Sequence, residues 1–199
     1  MEKYLIIFLA LFFTNCKSQS QIIDILDDDG SHISNAYYKD INNLLDPYTG
    51  TWIYSSGNRY IKMVLTKKIK FYDGKSYEDD IIGGVEYKEN GVTKVNTLSY
   101  INNTSFVNTI QYPISGRLLF DKDFYPKCPE CPANELRLQL TYKEPGKAGS
   151  GRLVLRRISI NGQEALKIEH RSGTIMYKDG EPLPEAYILP DGNFVFVKQ

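Results

Sequence analysis

The stretch Glu135-Leu136-Arg137-Leu138-Gln139-Leu140-Thr141-Tyr142 alternates polar and apolar side chains without interruption. A strand sends successive side chains to opposite faces, so Leu136, Leu138, Leu140 and Tyr142 share one face and Arg137, Gln139 and Thr141 the other. The same period of two recurs on either side, in Ile61, Met63 and Leu65 and in Leu166, Ile168 and His170. At Leu153-Val154-Leu155-Arg156-Arg157-Ile158 the alternation slips by one residue, which predicts a β-bulge. Between the runs stand Asp73-Gly74, Asn90-Gly91, Asn161-Gly162, Asp179-Gly180 and Asp191-Gly192, dipeptides that accept the positive φ angles of tight hairpin turns.

These signals predict about nine or ten strands, mostly joined by short hairpins. The 15 Tyr and 9 Phe agree, because flat rings suit a pleated, half-buried surface. An antiparallel meander of this length must hide its edges. The fold expected is therefore all-β, an up-and-down barrel of lipocalin-like type or a two-sheet sandwich. Neither a repeat nor a linker divides residues 36–199, which read as one β domain. One short helix is expected at its start, because Tyr37, Ile41, Leu44 and Leu45 fall at helical spacing before Pro47.

Lys+Arg and Asp+Glu both number 24 in 199 residues. A balanced chain has no field to steer it toward nucleic acid, and that class of partner is set aside. The N-terminus carries an address instead. Lys3 precedes an apolar run, Tyr4 to Phe13, too short to span a bilayer and suited to the core of an export signal over residues 1–15. Cys16 follows at once, and the polar segment 16–35, with Asp27-Asp28-Asp29, reads as a flexible tether. Assigning Cys16 to a lipid leaves Cys128 and Cys131 as an even pair, as an oxidising compartment favours.

The segment around Cys16 resembles a bacterial lipoprotein signal, although Phe13, Thr14 and Asn15 depart from the usual Leu at the third position before Cys and Gly or Ala beside it. That resemblance implies a lipid on Cys16, a membrane as partner and a place in the cell envelope; plain secretion is the alternative. The stretch from Tyr38 to Trp52, with Asp46-Pro47-Tyr48-Thr49-Gly50-Thr51, is similar to the opening of an uncharacterised family of small flavobacterial lipoproteins. This likeness implies a β-rich domain and no activity. Gly50-Thr51-Trp52 resembles the Gly-x-Trp signature of lipocalin-like barrels, which implies a Trp closing one barrel end beneath a late basic side chain, for which Arg171 is the candidate. As a plain residue, Trp52 is a core aromatic.

Chemistry-bearing residues are sparse. Cys128-Pro129-Glu130-Cys131 has redox spacing, but Pro132, Asn134 and a strand follow where an activating helix belongs. A small structural disulfide fits better, and zinc would need two more ligands from a chain holding only His32 and His170. The run Asp27-Asp28-Asp29-Gly30 puts Ile25 and Ala36 where a calcium loop needs carboxylates. Gly146 to Gly151 lacks a phosphate loop's Lys-Ser/Thr ending, His170 alternates along a strand as a structural histidine does, and Glu78-Asp79-Asp80 reads as a solvated edge. No catalytic residue, metal site or cofactor is assigned. The expectation is a non-enzymatic, lipid-anchored envelope protein that binds a partner or a small apolar ligand. The alternative is an envelope enzyme, a hydrolase or a thiol oxidoreductase at Cys128/Cys131.

Overall fold

In the computed structural model, which describes residues 20–173 and 185–199, the chain is all-β. Outside the described residues lie the export signal at 1–15, Cys16 and Asp179-Gly180. Eight antiparallel strands close a barrel in chain order: β3 (Gly50–Ser56), β4 (Arg59–Tyr72), β5 (Tyr77–Glu89), β7 (Ile114–Phe120), β8 (Arg137–Tyr142), β9 (Gly151–Ile160), β10 (Gln163–Arg171) and β11 (Gly192–Lys198). The circle closes where β11 meets β3, with Val197 opposite Ile53 and Lys198 opposite Trp52. Three strands lie outside it: β6 (Val92–Asn96) on β5, and β1 (Ile22–Asp24) with β2 (Tyr37–Lys39), a parallel pair added where β4 and β5 run past one barrel end. Among the described residues no helix is long and apolar enough to cross a membrane.

The two-residue turns at Asn90-Gly91 and Asn161-Gly162 have positive φ throughout, as a hairpin twisting with its strands demands. Asp191-Gly192 is no hairpin turn and simply leads into β11. The alternation becomes the two faces of the wall. Leu138, Leu140 and Tyr142 point inward with Met63, Leu153, Leu166, Ile168 and Phe196, and all are buried. Each fully buried aliphatic or aromatic side chain contributes roughly 1.5–3 kcal/mol. Among the described residues, the void inside the wall beside Met63 and His170 is about 10 Å³, at the lower limit for one water. The barrel interior is filled by side chains.

Three local expectations are corrected. The helix expected over 35–46 is instead strand β2 followed by a loop and a short 3-10 turn, Asp46–Tyr48. The Asp40 carboxylate accepts the N–H groups of Leu44 and Leu45 at 2.7 and 2.9 Å, taking donors that a helix would give to its carbonyls. The slip at 153–158 is not a bulge, because β9 pairs with both neighbours in unbroken register. Val154 faces outward and is buried because the loop carrying Cys128 lies over it. Finally, the flexible tether expected over 16–35 does not describe 22–35. Ile22–Asp24 pairs with β2, Ile25 is buried, and Asp28 is bound to Arg117.

Strand β5 owes Gly84 to a close approach. The chain leaving β6 crosses directly over it, and a Cβ there would lie 2.6 Å from the Thr97 carbonyl oxygen. Thr97 is fixed at that point by bonds to Val85, its hydroxyl accepting the Val85 N–H at 2.9 Å. The substitution Gly84→Ala is expected to destabilise the fold by about 1–3 kcal/mol. Chemical denaturation with unchanged slope and a lowered midpoint is the readout; an unshifted midpoint would show that the crossing does not pack on β5.

Candidate functional site

Two surface sites stand out. The first is a groove of about 600 Å³ at the barrel end where β3 begins. Its floor is laid by the segment between β2 and β3: Leu45 and Tyr48 plug the mouth, and the Trp52 indole N–H donates to the Tyr48 carbonyl at 2.9 Å. The Tyr48 hydroxyl in turn donates to the Leu136 carbonyl at 2.9 Å, tying the plug to the start of β8. Leu44, Leu119, Leu136 and Ile158 line the opening, each only half-buried. Charge lies at its margin. Glu135 holds Arg156 at 2.9 Å, Lys198 holds Glu164 at 2.6 Å, and Arg157 is exposed.

The Lys198 ammonium also sits 5.3 Å from the centre of the Trp52 ring, a cation–π contact. Trp52 thus closes a barrel end beneath a basic side chain from the last strand. That side chain is Lys198 and not Arg171, which pairs with Arg152 at the other end of β10.

The second site, about 280 Å³, lies on the outer wall where β5 meets β7. Strand alternation sends Glu78 and Asp80 to one side, and Arg117 of β7 reaches both. Its NH2 donates to Glu78 at 3.1 Å and to Asp28 at 2.9 Å, and its NH1 donates to Asp80 at 3.2 Å and to Glu78. The guanidinium also lies 5.4 Å from the Tyr38 ring. Burial alone would lower the pKa of Arg117, but the charges of Asp80 and Glu78 overcome it and keep the group charged. Three carboxylates around one guanidinium leave negative charge in excess. Burial accordingly raises Glu78 above its ordinary range in spite of Arg117, with Asp80 and Asp73 adding to the effect.

Glu78-Asp79-Asp80 is therefore no solvated edge: all three are buried. Asp79 turns to the opposite face, where it accepts the Tyr37 hydroxyl at 2.7 Å and the backbone N–H of Asp40 and Lys70. Oxygen and nitrogen atoms of His32, Asp73 and Glu78 lie within 4.8 Å of one another, a spacing compatible with a shared cation. Both Glu78 oxygens already serve Arg117, however, and Asp73 Oδ1 accepts the N–H groups of Lys75 and Ser76. The chemistry is that of an electrostatic clamp. Neither Arg117 nor Asp28 carries a sequence signal for this role, because the clamp joins residues far apart in the chain.

Cys128 and Cys131 lie at disulfide distance, with Cα atoms 5.3 Å apart, in the loop that covers Val154. Arg137 holds the same loop by donating to the carbonyls of Pro126, Asp121 and Phe124. The chain after Cys131 turns directly into β8. His170 is 1 % exposed, its Nδ1 3.0 Å from the Pro190 carbonyl oxygen and its ring edge-on to Tyr142. Beside it the buried Glu144 accepts the Tyr142 hydroxyl and the N–H groups of Ile188 and Leu189.

Fold and sites together define an eight-stranded antiparallel barrel with a packed interior, a grooved mouth and a clamped outer seam. The chain belongs to a family of unknown function, DUF6705, whose family model matches residues 1–199. No curated protein and no solved structure matches it.

Burial holds His170 below its ordinary value of 6.5, outweighing the Pro190 carbonyl and the Asp191 charge, which act to raise it. In the pH window just below 6.5 the unfolded chain then binds a proton that the folded chain refuses, and stability is lost as pH falls. Replacing the ring by His170→Phe should remove up to about 1.4 kcal/mol per pH unit from that slope. Thermal unfolding of both proteins between pH 7 and pH 5 measures it; parallel curves would show that His170 does not contribute.

Proposed function

We propose that this protein is a non-enzymatic β-barrel, anchored in the cell envelope by a lipid on Cys16, that binds a small, largely apolar ligand at the mouth of the barrel. One observation carries the binding half of this reading. The interior is packed, yet the mouth keeps a groove of about 600 Å³, within the usual range of small-molecule sites, in which half-buried apolar side chains are ringed by charge. Leu44, Leu119, Leu136 and Ile158 would cover an acyl or similar chain. Exposed Arg157 suits an anionic end group. The anchoring half rests on the sequence: the short apolar run Tyr4 to Phe13, Cys16 behind it, and the cysteine pair left over at Cys128 and Cys131.

Trp52 is the chain's one tryptophan and lines the groove, so its emission reports occupancy. Titration with a dibrominated fatty acid is expected to quench it to saturation at one ligand per chain. In Ile158→Arg, whose side chain enters the groove from a surface hairpin, affinity should weaken by about tenfold, or 1.4 kcal/mol. Emission that stays constant while the probe is added would remove the ligand-binding reading.

The anchor has its own test. A palmitate analogue fed to the expressing cells should label the wild type and leave Cys16→Ala unlabelled. Equal labelling of the two would show that no lipid is carried at Cys16.

A further inference from the structure

Resting on that anchor, we infer that the protein lies on the membrane in one orientation, with the sheet extension of β1, β2, β5 and β4 against the bilayer. The connection to Cys16 sets the constraint. Strand β1 begins at Ile22, and the residues between it and Cys16 span at most about 20 Å when fully extended. A flexible tether would let the barrel tumble freely above the lipid. A strand hydrogen-bonded into the sheet so close to the anchor does not.

The surface beside that strand has the composition of a membrane interface. Ile22 stands opposite Tyr37, Tyr37 opposite Tyr77, and Tyr77 opposite Tyr72, so one apolar and aromatic row crosses four strands on a single face. Ile22 is 58 % exposed and Tyr72 45 % exposed at the two ends of the row, while between them Tyr77 is half-buried and Tyr37 is buried. The ammonium of Lys70 lies 5.5 and 5.4 Å from the rings of Tyr37 and Tyr77. Rings with polar tips and lysines with long apolar stems are the side chains suited to the boundary between headgroups and hydrocarbon.

The backbone has been shaped to present them. The β4–β5 register breaks between Lys68 and Phe71, and Lys70 takes a left-handed conformation with φ of 51°. Such a backbone costs a lysine and persists only where its surroundings hold it. Here the Lys70 N–H donates to the buried carboxylate of Asp79 at 2.8 Å. The bulge leaves Ile69 71 % exposed at the same end of the sheet. Of the acids near the row, Asp79 and Asp40 are buried and committed to internal hydrogen bonds. Asp24, two residues from Ile22 on the same strand, is half-buried and accepts the Leu26 N–H and the Asn42 side-chain amide. Asp27 and Asp29 remain exposed on the turn after β1, so the attraction assigned to this face is apolar and aromatic rather than a pull toward anionic lipid.

Depth-dependent quenching tests the orientation on the full-length, lipidated protein. Two variants each add a tryptophan to the common signal of Trp52: Tyr72→Trp at the proposed contact, and Val92→Trp on β6 at the far end of β5. Each is bound to neutral vesicles containing a brominated phosphatidylcholine and compared with wild type. Emission from the added residue is expected to fall by about twofold in Tyr72→Trp and to stay unchanged in Val92→Trp. Vesicle flotation without quenching at position 72, or with quenching at position 92 instead, overturns the orientation and leaves the anchor standing. Failure of the wild type to float with vesicles overturns both.

Discussion

The fold depends on the seam between β5 and β7. A barrel must pair every strand twice, yet β5 divides one edge among three partners, with Tyr77 and Glu78 going to β2. Glu86–Glu89 go to β6, while only Ile81, Ile82 and Gly83 meet Gly116, Ser115 and Ile114 of β7. Beyond those three pairs β7 shifts register and the backbone ladder ends. Arg117 continues the connection with its side chain, holding Glu78 and Asp80 on β5 and drawing in Asp28 from the N-terminal segment. Buried ions repay their desolvation only when every donor and acceptor is engaged and the geometry is good. The clamp meets that condition at both terminal nitrogens of Arg117 and not at Nε, which is buried without a partner. Two of its three carboxylates lie on the strand it secures, and its third pins the segment that carries β1.

The mouth of the barrel, toward the same end, is organised around a ring instead of an ion. Trp52 is wedged beneath Lys198, donates to Tyr48 and rests at the point where the first and last barrel strands meet. Tyr48 extends the contact to β8. A single aromatic thus ties together the closure of the sheet, the plug between β2 and β3 and the base of the groove. Because Leu45, Tyr48 and Trp52 occupy the axis, the space that a hollow barrel would offer inside appears at the rim.

Sequence periodicity made the barrel legible because most strands have one face in the core and one in water. Leu138 to Tyr142 obey that rule and are read correctly, whereas Arg137 just before them is covered by the loop it holds. Where a second layer covers the wall, the rule fails. Val154 faces outward under the Cys128 loop, so the pattern looked displaced when only the solvent was. Glu78 to Asp80 have the composition of an exposed turn and are buried because loops from both directions fold over them. Tyr37 to Leu45 carry helical spacing by coincidence, and Asp40 and the neighbouring strands decide the outcome. The clamp was invisible for a different reason: Asp28, Glu78 and Arg117 are joined only by topology. The groove shares that limit, since its walls come from the plug, β7, β8 and the β9–β10 hairpin.

Closure by β11 against β3 also governs the order of events in folding. The first strand of the barrel can do nothing with its free edge until the last one arrives, nearly the whole chain later. Until then the sheet has two open margins, each a row of unsatisfied amide and carbonyl groups able to pair with the wrong neighbour. Contacts so distant in sequence form slowly. The period of greatest exposure to aggregation and proteolysis therefore ends only when the final strand is in place.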